Sequence, residues 1–299
     1  MNAIARTGLL LLIALLASCA SLDRQERELT WRVVKEDAGW FTGLPSDVQD
    51  VYIAVGSATD AQRINAWWWP DANAQAPAVL YLHGARWNLT GHLRRIEQLR
   101  RFGFSVLAID YRGFGKSDGD LPSEQMAYED ARAAWEWLVA RQPDARRRFI
   151  YGHSIGGAVA IDLAASVAKA GPGARGLIIE STFTTLADMA AEMTFSWLPA
   201  DLLLSQKFDS VAKIKTVAIP VLVAHGEQDR FVPARFSEAL YRAARDPKKL
   251  LLIEGGSHNN SMWAGDAAYQ KALTELFGLN GAQEGDATKT SASRLGASP

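Results

Sequence analysis

Arg148-Phe149-Ile150-Tyr151-Gly152-His153-Ser154-Ile155-Gly156-Gly157 is the stretch whose reading decides the fold. Its first four residues are a β-prone run. Beyond it, Gly157-Ala158-Val159-Ala160-Ile161-Asp162-Leu163-Ala164-Ala165 is small, apolar and helix-prone. A strand running straight into a helix around Gly-x-Ser-x-Gly makes a turn so sharp that the serine backbone is strained and its Oγ stands proud of the sheet. A Cβ at Gly152 or Gly156 would meet the crossing strand or helix. With 24 glycines in 299 residues the pentapeptide alone could arise by chance, so the flanking elements and the partners found elsewhere carry the reading.

Working outward, the rhythm from residue 77 is strand, loop, helix. Ala78–Leu82 is a continuous apolar run, as in a parallel strand buried on both faces. Helices are expected over Asn88–Phe102, Ser123–Ala140, Pro233–Ala244 and Ser261–Phe277. Strands are expected at Ser105–Ile109, Gly176–Ile179, Val221–Ala224 and Lys249–Ile253. Ahead of them, Trp31–Val34, Val51–Val55 and Ile64–Trp69 read as an antiparallel start. The last ends in three tryptophans, which alternation along a strand sends to opposite faces. The fold class is therefore α/β, one domain over 30–279 with a mostly parallel sheet flanked by helices. Thr184–Phe208 breaks the rhythm, and its apolar residues suggest a small helical cap over about 184–208, with Met193, Phe195 and Trp197 lining a substrate pocket. Residues 280–299 are small and polar and read as a disordered tail.

Hydrophobic residues make up 48% of the chain and its formal charge is −1. That suffices for a sizeable core and offers no basic surface to a nucleic acid. Residues 1–18 carry Arg6 and an apolar run from Gly8 to Ala17, too short to span a bilayer, and read as a secretory signal. Leu16-Ala17-Ser18-Cys19 resembles the lipobox of bacterial lipoproteins. The resemblance implies cleavage before Cys19, the chain's single cysteine, and lipidation of its thiol. With Ala20 following, it implies a protein tethered to the outer membrane and facing the periplasm. Residues 19–29, polar and charged from Ser21 to Glu28, read as the tether.

A serine hydroxyl attacks well only when a base removes its proton, and histidine is suited to that exchange. Of five histidines, His92 sits in an expected surface helix, His83 and His225 end strands, and His153 is the turn's own residue, pointing away from the site. His258 alone lies in a late loop, Gly255–Asn260, after the last strand. A carboxylate must hold its imidazole in the right tautomer. The loop after Val221–Ala224 offers Asp229, with Glu227 in the same loop as the runner-up and Glu180, at the end of the preceding strand, third. The order Ser154, Asp229, His258 is one of the known chain orders of such triads. Two backbone amides should stabilise the oxyanion: Ile155, at a helix N-terminus, and Ala85 in the loop after Leu82, with Arg86 as the alternative. Arg86 and Trp87 would shape the pocket mouth.

Leu82-His83-Gly84, Asp110–Gly119, Gly152–Gly157, Glu180–Thr184, His225–Pro233 and Gly256–Asn259 run in an order that resembles the α/β-hydrolase superfamily, in its serine-aminopeptidase-like branch. The likeness covers about residues 45 to 278. It implies the fold and the triad and says little of the substrate; the leading reading is a serine hydrolase acting on carboxylic esters, thioesters or lipid esters through an acyl-Ser154 intermediate, with no metal or organic cofactor. The expected partners are a small ester or lipid-like substrate and a membrane holding Cys19. Two other readings are a serine aminopeptidase, with no evident acidic pair to hold a substrate amine, and a catalytically silent envelope scaffold. In this branch Asn and Gly often follow His-Gly, where this chain has Ala85-Arg86-Trp87. The Asp110–Gly119 stretch resembles a structural turn beside the site.

Overall fold

Eight strands form one sheet in the computed structural model, which describes residues 21–56, 59–170, 173–193 and 200–279, without the side chains of 168–170 and 193. In chain order they are β1 (Gln49–Val55), β2 (Gln62–Trp69), β3 (Ala78–Leu82), β4 (Ser105–Ile109), β5 (Arg148–His153), β6 (Gly176–Glu180), β7 (Val221–Gly226) and β8 (Lys248–Ile253). Their spatial order is β1-β2-β4-β3-β5-β6-β7-β8. β1 pairs antiparallel with β2 and β2 with β4, and every later pairing is parallel. Every residue of β3, β4, β5, β6 and β7 is buried, which is why these strands are mostly apolar, with polar residues at their ends except in β3. At one edge, β1 alternates towards burial at Ile53 and Val55.

Helices cover both faces. One face carries α3 (Glu124–Arg141), α4 (Ile155–Ala170), α7 (Ser210–Ile214) and α8 (Ala234–Ala243). The other carries α2 (Leu89–Arg101), α9 (Ser261–Ala264) and α10 (Asp266–Phe277). The three tryptophans of β2 divide as alternation requires. Trp68 meets Trp137 of α3 on one side, while Trp67 stacks on Phe41 at 5.9 Å on the other.

The structure corrects several expectations. Residues 21–31 are helical (α1) and docked, not a free tether. Glu26 accepts from the amides of Ser205 and Gln206, both at 2.8 Å, and Arg27 donates to the carbonyls of Leu121 and Pro122. Trp31 ends this helix, fully buried against Tyr111, Phe114 and Phe208, so Trp31–Val34 is not a strand. The closing helix is two, α9 and α10, divided at Gly265, where a Cβ would press on Ile253. Within the expected cap, α5 (Leu186–Met193) and α6 (Ala200–Leu203) are helical. Phe208 is core, not cap. Phe195, Trp197 and the side chain of Met193 lie outside the described residues, as do residues 1–18, Cys19 and residues 280–299. Among the described residues no helix is long and apolar enough to cross a membrane.

Candidate active site

Ser154 stands between β5 and α4 with φ of +56°, a region a non-glycine residue enters only under constraint. The constraint is visible around it. A Cβ on Gly152 would run into the Gly156 carbonyl, and one on Gly156 would run into the carbonyls of Leu82 and His83. Strand and helix therefore cross at a distance only glycine allows. The Ser154 amide donates to the Glu180 carbonyl at 2.9 Å, and its own carbonyl accepts from Gly157 at 2.8 Å.

Asp229 and His258 meet. His258 Nδ1 donates to Asp229 Oδ2 at 2.7 Å. The carboxylate is buried, and its other oxygen accepts from the amides of Phe231 and Val232, each at 2.9 Å. Burial alone would push this carboxyl up. The His258 hydrogen bond and charge, with the two amides, outweigh burial and hold it below the usual carboxylate value. His225 lies 3.4 Å from Asp229 Oδ2 but hydrogen-bonds Val232 O and Ser237 Oγ, and burial keeps its pKa low. It braces the loop as a neutral ring. The alternative Glu227 is exposed. Glu180 is enclosed by Arg95, Tyr151, Ser261 and Tyr269 and is no partner of the imidazole.

His258 retains 13% side-chain exposure, and the exposed Phe231 ring lies 5.6 Å from it. His153 does not point away from this site. Its Nε2 donates to the His258 carbonyl at 2.8 Å, with ring centroids 4.8 Å apart. Ser154 is thus tied to the histidine loop through its chain neighbour. Among the described residues no hydrogen bond joins the Ser154 hydroxyl to the imidazole directly, a link that commonly tightens only when substrate binds. His92 is half-buried and faces inward from α2. It hydrogen-bonds Tyr81 and packs on His83 at 5.1 Å.

The loop after β3 reaches the nucleophile at Gly84, whose Cβ position lies 3.1 Å from that of Ser154. Arg86 cannot be the second oxyanion donor here, because its amide donates to Trp31 O at 2.8 Å. Among the described residues the amides of Ala85 and Ile155 have no acceptor. Arg86 is exposed at φ of +71°, its guanidinium 5.4 Å over Trp87, which meets Trp40 at 4.8 Å. Asn88 anchors the loop. It caps α2 through Thr90 N and donates to the carbonyls of Val34, Lys35 and Glu36. The Asp110–Gly119 turn is held by Arg112, whose guanidinium and amide both donate to Asp130. Among the described residues, no three His, Cys, Asp or Glu side chains cluster to hold a metal ion.

Comparison with known proteins agrees with this architecture. Residues 73–210 match the family model described as serine aminopeptidase, S33. The Mycobacterium tuberculosis protein Rv2307c is 38% identical over 203 residues, 67% of this chain and 70% of the relative. The zebrafish (Danio rerio) lysophosphatidylserine lipase ABHD12 is 30% identical over 213 residues. That match covers 66% of this chain and about half, 55%, of the lipase. Among solved structures, an alpha-beta hydrolase from Vibrio vulnificus superposes with a TM-score of 0.67 at 19% identity, covering 92% of this chain and 95% of that one.

Proposed function

The chain belongs to the α/β-hydrolase superfamily and is a hydrolase by family, and from that premise we propose that it is a serine esterase working through Ser154, His258 and Asp229. The observation that carries the reading is the buried Asp229 carboxylate hydrogen-bonded to His258 Nδ1, in a loop held to the strained Ser154 turn through His153. With its Nδ1 proton engaged, the imidazole offers Nε2 as the base. Ser154 Oγ attacks the ester carbonyl as its proton passes to Nε2, and the amides of Ile155 and Ala85 take the oxyanion. The imidazolium then protonates the departing alkoxide. Water repeats the sequence on the acyl-enzyme and frees Ser154. The exposed Phe231 beside His258 supports an apolar group on the substrate, as does the name of the lipase relative. Arg86 and Trp87, next to Ala85, would border the entrance.

The family model's description supports a second reading, an aminopeptidase. A panel of p-nitrophenyl esters of rising chain length against aminoacyl anilides separates the two. Ester turnover that rises with chain length and vanishes in Ser154→Ala supports the esterase, whereas anilide turnover alone overturns it.

In the same proposal, lipid on Cys19 would hold the body close to an envelope membrane. One residue, Ala20, lies between it and Ser21, the first residue of docked α1, which limits their separation to about 7 Å. Loss of metabolic palmitate labelling in Cys19→Ala supports this, and equal labelling of both forms contradicts it.

A further inference from the structure

Behind the site lies a buried polar cluster that the mechanism above does not use. Glu180, at the end of β6, has no exposed surface, and Arg95 of α2 is 4% exposed. Arg95 Nη1 donates to Glu180 Oε1 at 2.7 Å. The same carboxylate accepts from the hydroxyls of Tyr151, Ser261 and Tyr269. Its donors thus come from α2, β5, α9 and α10, and all its acceptor positions are engaged. Burial alone would push the Glu180 carboxyl up, but Arg95 and the three hydroxyls hold it low, so the pair is ionised.

The placement of these bonds matters more than their number. The main-chain carbonyl of Glu180 accepts from the Ser154 amide at 2.9 Å. Its side chain grips Ser261, three residues beyond His258. Arg95 Nη2 donates to the carbonyl of Asn259, the residue after His258, at 3.3 Å. Tyr151, three residues before Ser154, receives a hydrogen bond from Arg95 Nη1 at 3.1 Å. One residue therefore holds the nucleophile by its backbone and the loop of the base by its carboxylate.

We propose that Glu180, with Arg95, is a positioning residue that sets the separation between Ser154 and the His258 loop. This rests on the serine-hydrolase reading. Neither residue touches the reacting atoms. They act through the turn at 258–261 and the nucleophile turn, which must agree within a few tenths of an ångström for proton transfer. A buried ion pair is weak support for stability, since an apolar pair of similar volume often stabilises a fold equally well. A positional role makes a different demand, because an apolar pair cannot grip Asn259 or Ser261.

The test uses the full chain in four variants: Ser154→Ala, Ser261→Ala, Glu180→Gln, and the double change Arg95→Met with Glu180→Leu, which leaves no buried charge unpaired. For each, kcat and KM on a p-nitrophenyl ester are measured well below its melting temperature. The rate of fluorophosphonate labelling is measured beside them. The double variant should melt cooperatively yet lose about 10- to 100-fold in kcat, with KM within about twofold of wild type. Ser261→Ala should lose about tenfold in kcat in the same manner. If Glu180→Gln does not fold, those two decide. Wild-type kcat in a folded double variant and in Ser261→Ala overturns the positioning role. Retained turnover in Ser154→Ala overturns the serine-hydrolase reading instead, so the two failures are distinguishable.

Discussion

Replacing Asp229 with Asn changes one atom of the carboxylate and should disable the base without disturbing the loop. The two oxygens have different partners. Oδ1 accepts from the amides of Phe231 and Val232, and Oδ2 accepts from His258 Nδ1 at 2.7 Å. Those amides can only donate, so an Asn must keep its oxygen towards them and turn its NH2 towards the imidazole. Donor then faces donor. His258 escapes by moving its proton to Nε2, leaving Nδ1 as the acceptor. In that tautomer Nε2 cannot take the serine proton. In serine triads the same error lowers turnover about 10⁴-fold. At 1.36 kcal/mol per decade this is about 5.4 kcal/mol of lost transition-state stabilisation. The assay is steady-state hydrolysis of a p-nitrophenyl ester, with fluorophosphonate labelling followed in parallel. The loss should fall in kcat, with KM little changed, and the variant should melt cooperatively. Turnover within tenfold of wild type, alongside an inactive His258→Ala, would refute the role given to this carboxylate.

Two further outcomes follow from the packing and the charges. Gly156→Ala drives a carbon into the carbonyls of Leu82 and His83 and should destabilise by about 3 kcal/mol or more. Gly39→Ala, with nothing within 4 Å of the added carbon, should unfold at the wild-type denaturant concentration, and equal midpoints for the two variants would contradict this packing. Asp229 and Glu180 are both held below the usual carboxylate value. The unfolded chain therefore binds more protons at acid pH, and the stability these groups contribute is present above about pH 4 and lost as pH falls through their folded-state values. Urea midpoints measured from pH 6 to pH 3 should drop less steeply in Asp229→Asn than in wild type, and parallel curves would contradict the assignment.

The parts of this molecule legible in the sequence are those written in short local patterns. Each buried parallel strand is a run of apolar residues, and the catalytic candidates follow strand ends in loops rich in glycine, so Ser154 and the contacting pair of Asp229 and His258 could be picked out beforehand. What stayed hidden depends on contacts between distant residues. Arg95 sits in a helix whose arginines look solvent-facing, and its partner Glu180 lies 85 positions away. Residues 21–31 are polar because they dock by hydrogen bonds, Glu26 to two amides and Arg27 to two carbonyls, and such docking leaves no hydrophobic period to read. Trp31 is the one apolar anchor, and a single tryptophan at a helix end resembles the start of a strand. Nothing local separates Ala85 from Arg86 as an oxyanion donor; the bond of the Arg86 amide to the distant Trp31 O does. The place of His153 inside the nucleophile turn suggests a ring pointing away from the site, yet that ring packs on the base.

The most direct measurement of the central claim is the site of covalent capture by a fluorophosphonate probe. Intact mass followed by peptide mapping should show one adduct, on Ser154, formed slowly or not at all in His258→Ala and absent from Ser154→Ala. An adduct on another residue, or unchanged labelling when Ser154 or His258 is removed, would contradict it.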